Sequence, residues 1–174
     1  PGDLKAKKMR CQETPVHLEM YRALGASPVT ISVGEVMSAL QTGVVHGFDN
    51  TPLFTQAVSW HQAIDHFTVT EHIYQPALVI ANKKWFDSLP PEMQKVLTDP
   101  INKLENKGRK AVRALKGPLL DNLSAQGVQV HRLSPEQKAA FQKITRPVWD
   151  KKRKAATKEG KELLDIILKA KANK

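Results

Sequence analysis

The feature that most constrains the fold is the alternation of short apolar runs and helical patterns in the first fifty residues. Strand-like segments at residues 9–12, 28–31 and 44–50 are separated by two segments whose apolar residues recur at helical spacing. Strand, helix, strand, helix, strand within about 40 residues is typical of a parallel sheet. The sequence therefore predicts an α/β fold with its ligand outside the carboxyl ends of the strands.

Start and stop signals support these two helices. Pro15 is placed to begin the first helix, where its missing N–H costs little, and Gly25 is suited to end it. Ser32 and Glu35 match a capping box at the start of the second helix, and Gly43 follows its last apolar residue. We expect both helices to pack an apolar stripe against the sheet.

The rest of the chain predicts more strands and mainly helices. Residues 67–70 and 77–81 are strand-like, and the continuous apolar run of the second predicts complete burial. A long helix is expected from Pro91, and a capping box at Ser134 predicts another to about residue 145. Pro147 and Gly160 are expected to divide the remaining residues into separate helices.

The excess positive charge lies at the end of the chain. The 174 residues carry a formal net charge of +10, and residues 151–174 hold nine Lys and Arg against three acidic residues. A solvated helix face explains this pattern, and the alternative is a polybasic module for nucleic acid or an acidic membrane. Aromatic residues do not interleave with the basic run, so we expect no nucleic-acid partner.

No apolar run is long enough to span a membrane, and the N-terminal residues do not resemble a signal peptide. These features indicate a cytosolic protein, or a mature or truncated piece of an exported one. Nucleotide-binding glycine motifs, hydrolase motifs and zinc-protease motifs are absent from the sequence. The six histidines lack metal-ligand spacing, and Cys11 is alone, so we expect no enzyme, no cofactor and no metal.

Arg10 and Asn50 are the candidate binding residues. Arg10 lies between the apolar Met9 and Cys11 near a strand end, where a fixed guanidinium presents two parallel donors to a carboxylate. Asn50 ends the neighbouring predicted strand and would supply an amide donor. Two simpler interpretations remain open here, namely that Arg10 is a surface strand residue and that Asn50 is a helix N-cap.

Several blocks in order closely resemble the DctP-type solute-binding proteins of TRAP transporters (tripartite ATP-independent periplasmic transporters). The blocks are DLKAKKMR (3–10), EMYRALGASPV (19–29), GEVMSALQTGVVHG (34–47), Asn50 with Pro52, and NKKWFDSLPPEMQKVL (82–97). The resemblance covers essentially the whole chain and is weaker after about residue 100.

The resemblance implies a periplasmic-binding-protein-like fold of type II. It implies a periplasmic protein that captures a small organic acid, such as a dicarboxylate, and delivers it to the TRAP membrane permease subunits. Arg10 corresponds to the family's carboxylate anchor, and Asn50 to a ligand contact. Val33 corresponds to a position that packs on the ligand, and His72 to a loop position near the cleft.

The resemblance also implies that this chain is a C-terminal half, without a signal peptide or an N-terminal half. Residues 1–75 and 116–174 are then expected to form the second lobe, including the C-terminal helices. Residues 76–115 are expected to cross to the absent first lobe, which would leave their apolar surface uncovered. We therefore expect a homodimer or an assembly with exchanged elements.

The chain departs from the family pattern at two places near the expected ligand. The usual D-G-Q-E-N is His46-Gly47-Phe48-Asp49-Asn50 here, and Val33 replaces a common aromatic residue. These departures predict a larger pocket of different polarity.

Overall fold

The computed structural model describes residues 1–172. Five short strands form, named in chain order: β1 (Lys8–Cys11), β2 (Ser27–Thr30), β3 (Gly47–Phe48), β4 (His66–Val69) and β5 (Gln129–Arg132). The α-helices of these residues are α1 (Pro15–Ala23), α2 (Val36–Gln41), α3 (Pro52–Ala57), α4 (Lys83–Asp87), α5 (Pro91–Thr98), α6 (Ile101–Ala114), α7 (Lys116–Ala125), α8 (Pro135–Ala155) and α9 (Lys158–Ala172). Short 3₁₀ turns lie at Gly2–Leu4, Val33–Glu35 and Trp60–Ala63.

The predicted parallel sheet is present. Strand β1 lies between β2 and β3, and both pairings are parallel. Arg10 is aligned with Val29 on one side and with Phe48 on the other. The carboxyl ends of the three strands therefore lie at one edge of the sheet, where α/β proteins bind their ligands.

A second, two-stranded parallel sheet is formed by β4 and β5. Its inward residues, among them Phe67 and Val130, pack against a buried cluster of Leu120, Leu123 and Val128. Helix α7 supplies the two leucines of that cluster, so it covers one face of this sheet. The other face is exposed to solvent.

The larger sheet has its own small core. Cys11 of β1, Tyr21 of α1 and Ala26 are buried together, and Met9, Leu18 and other partly buried apolar residues pack around them. Helix α8 packs against α1, and the amide of Gln56 in α3 donates to the carbonyl of Leu119 in α7. These contacts tie the early strands and helices to the later part of the chain.

The prediction of a buried strand at residues 77–81 is wrong. These residues form neither helix nor strand, and they are exposed, Leu78 at 82% and Val79 at 106% of its reference surface. A strand needs a neighbour to satisfy its backbone groups, and no described strand lies beside this segment. The apolar pattern is of strand type, but residues 1–172 contain no strand that pairs with it.

Three helix predictions also need correction. Helix α8 continues through Pro147 to Ala155, and α9 begins before Gly160. The long helix expected from Pro91 is interrupted at Pro100, so that α5 and α6 are separate. Ser32 forms no cap; its hydroxyl donates to the Glu35 carboxylate instead, and the first turn is 3₁₀.

Within residues 1–172, no helix combines the length and apolar character needed to cross a bilayer.

Candidate anion-binding site

Arg10 is buried at the carboxyl end of β1. Its side chain is 4% exposed, and its Nε donates a hydrogen bond of 3.0 Å to the carbonyl of Ile31. Its guanidinium carbon lies 5.5 Å from the ring centre of Trp60, within cation–π range. The interpretation of Arg10 as a surface strand residue is therefore wrong.

Trp60 forms the platform under the guanidinium. It is 1% exposed, and the rings of Phe48 and Phe54 pack edge-on against it, at 4.9 Å and 5.5 Å between ring centres. Strand β3, helix α3 and the following turn each contribute one of the three rings. Sequence reasoning missed this cluster, since Trp60 is fifty positions from Arg10 and matches no periodic pattern in the sequence.

The charge of Arg10 has no counterpart among the described side chains. No Asp or Glu of residues 1–172 forms an ion pair with it, and its Nη groups donate to none of these residues. Removing a cation from water costs several kcal/mol unless an anion or good acceptors compensate for it. One carbonyl and one aromatic face compensate only in part, so the two parallel Nη donors fit an incoming carboxylate or other oxyanion.

Asn50 follows β3, the strand beside Arg10. Its Oδ1 accepts from the backbone N–H of Thr51 at 2.8 Å, whereas its Nδ2 donates to none of the described residues. The N-cap of α3 is Thr51, whose hydroxyl accepts from the N–H of Phe54 at 3.1 Å. Asn50 is therefore not the helix cap, and its amide keeps two donors at the same sheet edge as Arg10.

Asp49, directly before Asn50, is a second largely buried charge, and both of its hydrogen bonds to histidines reach Oδ2, whereas its Oδ1 has no hydrogen-bond partner in the described structure. The Nε2 of His17 lies 2.9 Å from its carboxylate, and the Nε2 of His72 lies 3.1 Å from it. The Nδ1 of His17 accepts from the N–H of Gln12, so its Nε2 carries the proton that is donated to Asp49. Burial alone favours the protonated carboxyl, but the hydrogen bonds from both histidines hold the pKa of Asp49 below its usual range.

This hydrogen-bonded chain joins four elements. Gln12 follows β1, His17 lies on α1, Asp49 follows β3, and His72 lies just beyond β4, where its Nδ1 is 2.6 Å from the hydroxyl of Thr70. In the sequence, Asp49 stands out only as a departure from the family pattern, and nothing there predicts its pairing with His17. His17 is 32 positions and His72 is 23 positions from Asp49 in the sequence, so no local pattern links them.

The structure places the four predicted site residues unevenly. Asn50 lies two residues beyond Phe48, which is aligned with Arg10, and His72 reaches the same edge through its hydrogen bond to Asp49. Val33 is 47% exposed in the turn that begins two residues after Ile31, whose carbonyl holds Arg10. Val33 therefore borders this edge without a described contact to Arg10.

Two further groups near the site are chemically quiet. Burial raises the pKa of the Cys11 thiol, and the carboxylate of Asp49 raises it further. Burial likewise raises the pKa of Tyr21, so both groups stay neutral at ordinary pH.

Within the described part of the chain, no group of three or more His, Cys, Asp or Glu side chains is arranged to hold a metal ion. The arrangement therefore suits binding of an anion rather than nucleophilic chemistry.

Comparison with known proteins identifies the family. Residues 1–155 match the model of the DctP family, described as bacterial extracellular solute-binding protein, family 7. The chain belongs to the DctP family. Solute binding, rather than a catalysed reaction, defines this family, and the resemblance drawn from the sequence blocks is thereby confirmed.

Two curated relatives are named as periplasmic binding proteins. The C4-dicarboxylate-binding periplasmic protein DctP of Rhodobacter capsulatus is 36% identical over 160 residues, which cover 86% of this chain and 45% of that protein. The ectoine-binding periplasmic protein TeaA of Halomonas elongata is 29% identical over 167 residues, 95% of this chain and 49% of that protein. The chain thus spans about half the length of these relatives.

Solved structures of this family confirm the type II binding-protein fold. The ectoine-binding protein of the TeaABC TRAP transporter from Halomonas elongata is 28% identical with a TM-score of 0.84, over 94% of this chain and 54% of that one. A TRAP periplasmic solute-binding protein from Shewanella oneidensis with bound succinate is 25% identical with a TM-score of 0.84, over 93% of this chain and 53% of that one.

Proposed function

We propose that this DctP-family chain captures a small organic acid by its carboxylate, with Arg10 as the anchor. The observation that carries the proposal is the buried guanidinium of Arg10, which has no acidic partner among the described residues and is held by the Ile31 carbonyl and the Trp60 ring. A bound carboxylate supplies the missing charge and accepts from both Nη groups. Asn50 donates from the neighbouring strand end, while Val33 and His72 border the ligand.

Several relatives support an acidic ligand. The Rhodobacter capsulatus protein is named for C4-dicarboxylates, and the Shewanella oneidensis structure contains succinate. A further structural neighbour, a TRAP solute-binding protein from Xanthobacter autotrophicus, contains galacturonate, which is also a carboxylate. A cationic anchor is the one element that all these ligands require.

The transport role follows from the same relationship. We assign the chain to the substrate-binding component of a TRAP-type secondary transporter, located in the periplasm, which delivers its acid to the membrane permease subunits. The Rhodobacter capsulatus relative is named a periplasmic binding protein. Of the structural neighbours, the Halomonas elongata protein belongs to the TeaABC TRAP transporter, and the Shewanella oneidensis protein is a TRAP periplasmic solute-binding protein.

We also propose the lobe assignment for these residues. Residues 1–75 and 116–174, of which 173 and 174 lie outside the described residues, form one lobe, and residues 76–115 form a crossing segment that packs against a first lobe. The many exposed apolar side chains of the crossing segment support this division. They are Leu78, Val79, Ile80, Trp85, Met93, Val96, Leu97, Ile101, Leu104, Val112 and Leu115. Without that lobe, these side chains favour pairing with a second copy of the chain.

The test is calorimetric titration of the chain with succinate, galacturonate and ectoine, repeated with Arg10→Ala. We expect at least one acid to bind the wild-type chain and the Arg10→Ala variant to lose it. Arg10→Lys should weaken binding by about tenfold or more, because an ammonium cannot present two parallel donors.

Arg22→Ala is the matched control. Arg22 lies on the exposed side of α1, so removing its charge tests whether general positive charge is sufficient. Unchanged affinity of Arg10→Ala, or equal losses in both variants, would overturn the site assignment. Circular dichroism of each variant separates loss of binding from loss of folding.

The polybasic alternative has weaker support. Part of the positive charge near the end of the chain is neutralised by pairs such as Lys151 with Glu19, at 2.8 Å, and Arg153 with Asp165. Arg146 pairs with Asp150 on α8, and the family match points to solute binding. A steep fall of nucleic-acid binding with salt would be needed to revive this alternative.

A further inference from the structure

The exposed face of the β4–β5 sheet carries two histidines side by side. In the parallel register, His66 is aligned with Gln129 and Thr68 with His131, and all four residues are exposed. The alternate residues of the same strands face the apolar cluster under α7. Alternation along both strands therefore directs His66 and His131 towards the same, solvent-facing side.

The two imidazoles already touch through their nitrogens. The Nδ1 of His66 lies 3.0 Å from the Nε2 of His131, and the ring centres are 5.2 Å apart with a tilt of 34°. A hydrogen bond at this distance needs one nitrogen with a proton and one without. When the ring that donates carries its proton on its other nitrogen instead, both facing nitrogens present a lone pair, and a metal cation can take the place of the shared proton.

The nitrogen separation indicates which cations fit. With metal–nitrogen bonds of about 2.0–2.1 Å, two nitrogens 3.0 Å apart subtend about 91–97° at the metal. That angle matches neighbouring positions of the square-planar or tetragonal geometry of Cu²⁺ and Ni²⁺. Tetrahedral Zn²⁺ needs a wider angle and hence a wider separation of the nitrogens.

We propose that His66 and His131 form a two-histidine binding site for Cu²⁺, and more weakly for Ni²⁺, on the face of the sheet opposite α7. Water completes the coordination, since the described residues contain no cluster of three or more His, Cys, Asp or Glu ligands. Imidazole suits both metals, and Cu²⁺ heads the affinity order of divalent first-row cations. A metal at this position joins β4 to β5 directly, so it stabilises the small sheet.

The test is titration of the tag-free chain with CuCl₂ and NiCl₂, followed by calorimetry and thermal melting, with MgCl₂ as a metal that imidazole does not prefer. The variants are His66→Asn and His131→Gln, which keep a hydrogen-bonding atom near the lost nitrogen. His46→Asn is the matched control, because His46 is also exposed but its Nδ1 accepts from the Lys8 amide, away from the pair.

We expect one Cu²⁺ to bind each chain and to raise the melting temperature, and Mg²⁺ to do neither. Since altering even an outer hydrogen-bond partner costs a metal site about 10–100-fold, losing a ligand should weaken Cu²⁺ by at least about tenfold. The double variant should bind at least as weakly as the weaker single variant, since it retains neither imidazole, and His46→Asn should bind like the wild type.

Paramagnetic resonance of the Cu²⁺-loaded wild type gives a readout that does not depend on folding of a variant. Two equivalent nitrogens in its hyperfine pattern support the site. Binding that is absent in the wild type, unchanged in His66→Asn and His131→Gln, or equally reduced in His46→Asn overturns the proposal. Affinity should also fall with acidification, because both nitrogens must be unprotonated to bind metal.

Discussion

Two buried charges of opposite sign lie at one sheet edge and are treated differently. Asp49 receives hydrogen bonds from two histidines, while Arg10 receives one carbonyl and an aromatic face. The charge of Asp49 is therefore compensated within the chain through its Oδ2, although its Oδ1 has no hydrogen-bond partner there, whereas Arg10 pairs with no acidic side chain and fits an external anion. This difference, rather than the presence of charge alone, separates a structural residue from a candidate ligand contact.

Asp49→Asn tests the structural role. The amide keeps one acceptor but loses the charge that His17 and His72 hydrogen-bond, so we expect the free energy of unfolding to fall by about 1–3 kcal/mol. Urea denaturation at neutral pH measures this loss. Asp121→Asn, at an exposed position of α7, is the control and should change stability little.

The same residue predicts a pH dependence. The pKa of Asp49 is lower in the folded chain than the value of about 3.9 expected when unfolded, so its stabilising contribution is full above that value. The contribution is lost as the pH falls further, towards the folded pKa. The stability difference between wild type and Asp49→Asn should therefore shrink below about pH 4. A difference that grows on acidification would contradict this reading.

Thr55 offers a gain of stability at a single atom. Its side chain is fully buried, and its hydroxyl oxygen has no hydrogen-bond partner in the described structure. Thr55→Val removes the unpaired hydroxyl at nearly constant volume, so we expect stabilisation of about 1 kcal/mol in urea denaturation. Thr55→Ser keeps the hydroxyl and loses a methyl group, and should instead destabilise by about 0.8 kcal/mol.

Sequence reasoning reached Arg10 because its local context, a charge between two apolar strand residues, is itself unusual. It left the cap of α3 open between function and structure at Asn50, and the structure gives that role to Thr51. Asn and Thr are both common N-cap residues, so the sequence alone does not decide between Asn50 and Thr51; the position of the first helical turn in the folded backbone does. Trp60 and His17 were missed since their contacts are remote in sequence.

At the scale of elements, local signals predicted some helix boundaries correctly and others wrongly. The capping box at Ser134 forms as expected, with Gln137 donating its N–H to the Ser134 hydroxyl. Pro147 was expected to end that helix, but α8 continues through it to residue 155. Packing of α8 against α1 supplies stabilisation that a local rule does not contain.

Pro147→Ala tests how much stability the proline inside α8 costs. Alanine restores the missing backbone donor and relieves the contact with the preceding turn, so we expect stabilisation of about 1–3 kcal/mol in urea denaturation. Pro135→Ala is the control at the first helical turn, where proline costs nothing, and should be neutral or slightly destabilising. Destabilisation by Pro147→Ala would contradict this expectation and would indicate that the proline ring itself is needed at this position of α8.

At the scale of the whole molecule, the predicted strand at residues 77–81 fails for a reason that no local pattern contains. The apolar run is of strand type, but a strand is defined by its neighbour, and residues 1–172 provide none. Helices α5 and α6 likewise expose apolar side chains, including Val96 at 68% and Leu104 at 59%. Composition and periodicity show that a segment needs a pairing strand or an apolar surface to cover it, but whether such a partner exists depends on the rest of the fold.

This exposed surface predicts self-association of the chain. Extended apolar segments with unpaired backbone groups pair readily with a second copy, so sedimentation velocity should show dimers whose fraction rises with protein concentration. Val79→Asp, at a fully exposed position of that segment, should shift the distribution towards monomer. Val44→Asp is the matched control. Val44 is also exposed, at 50%, but it lies outside residues 76–115, so its substitution should leave association unchanged. A compact monomer at every concentration would refute the association and would require residues 76–115 to fold back in a way that covers their own apolar side chains.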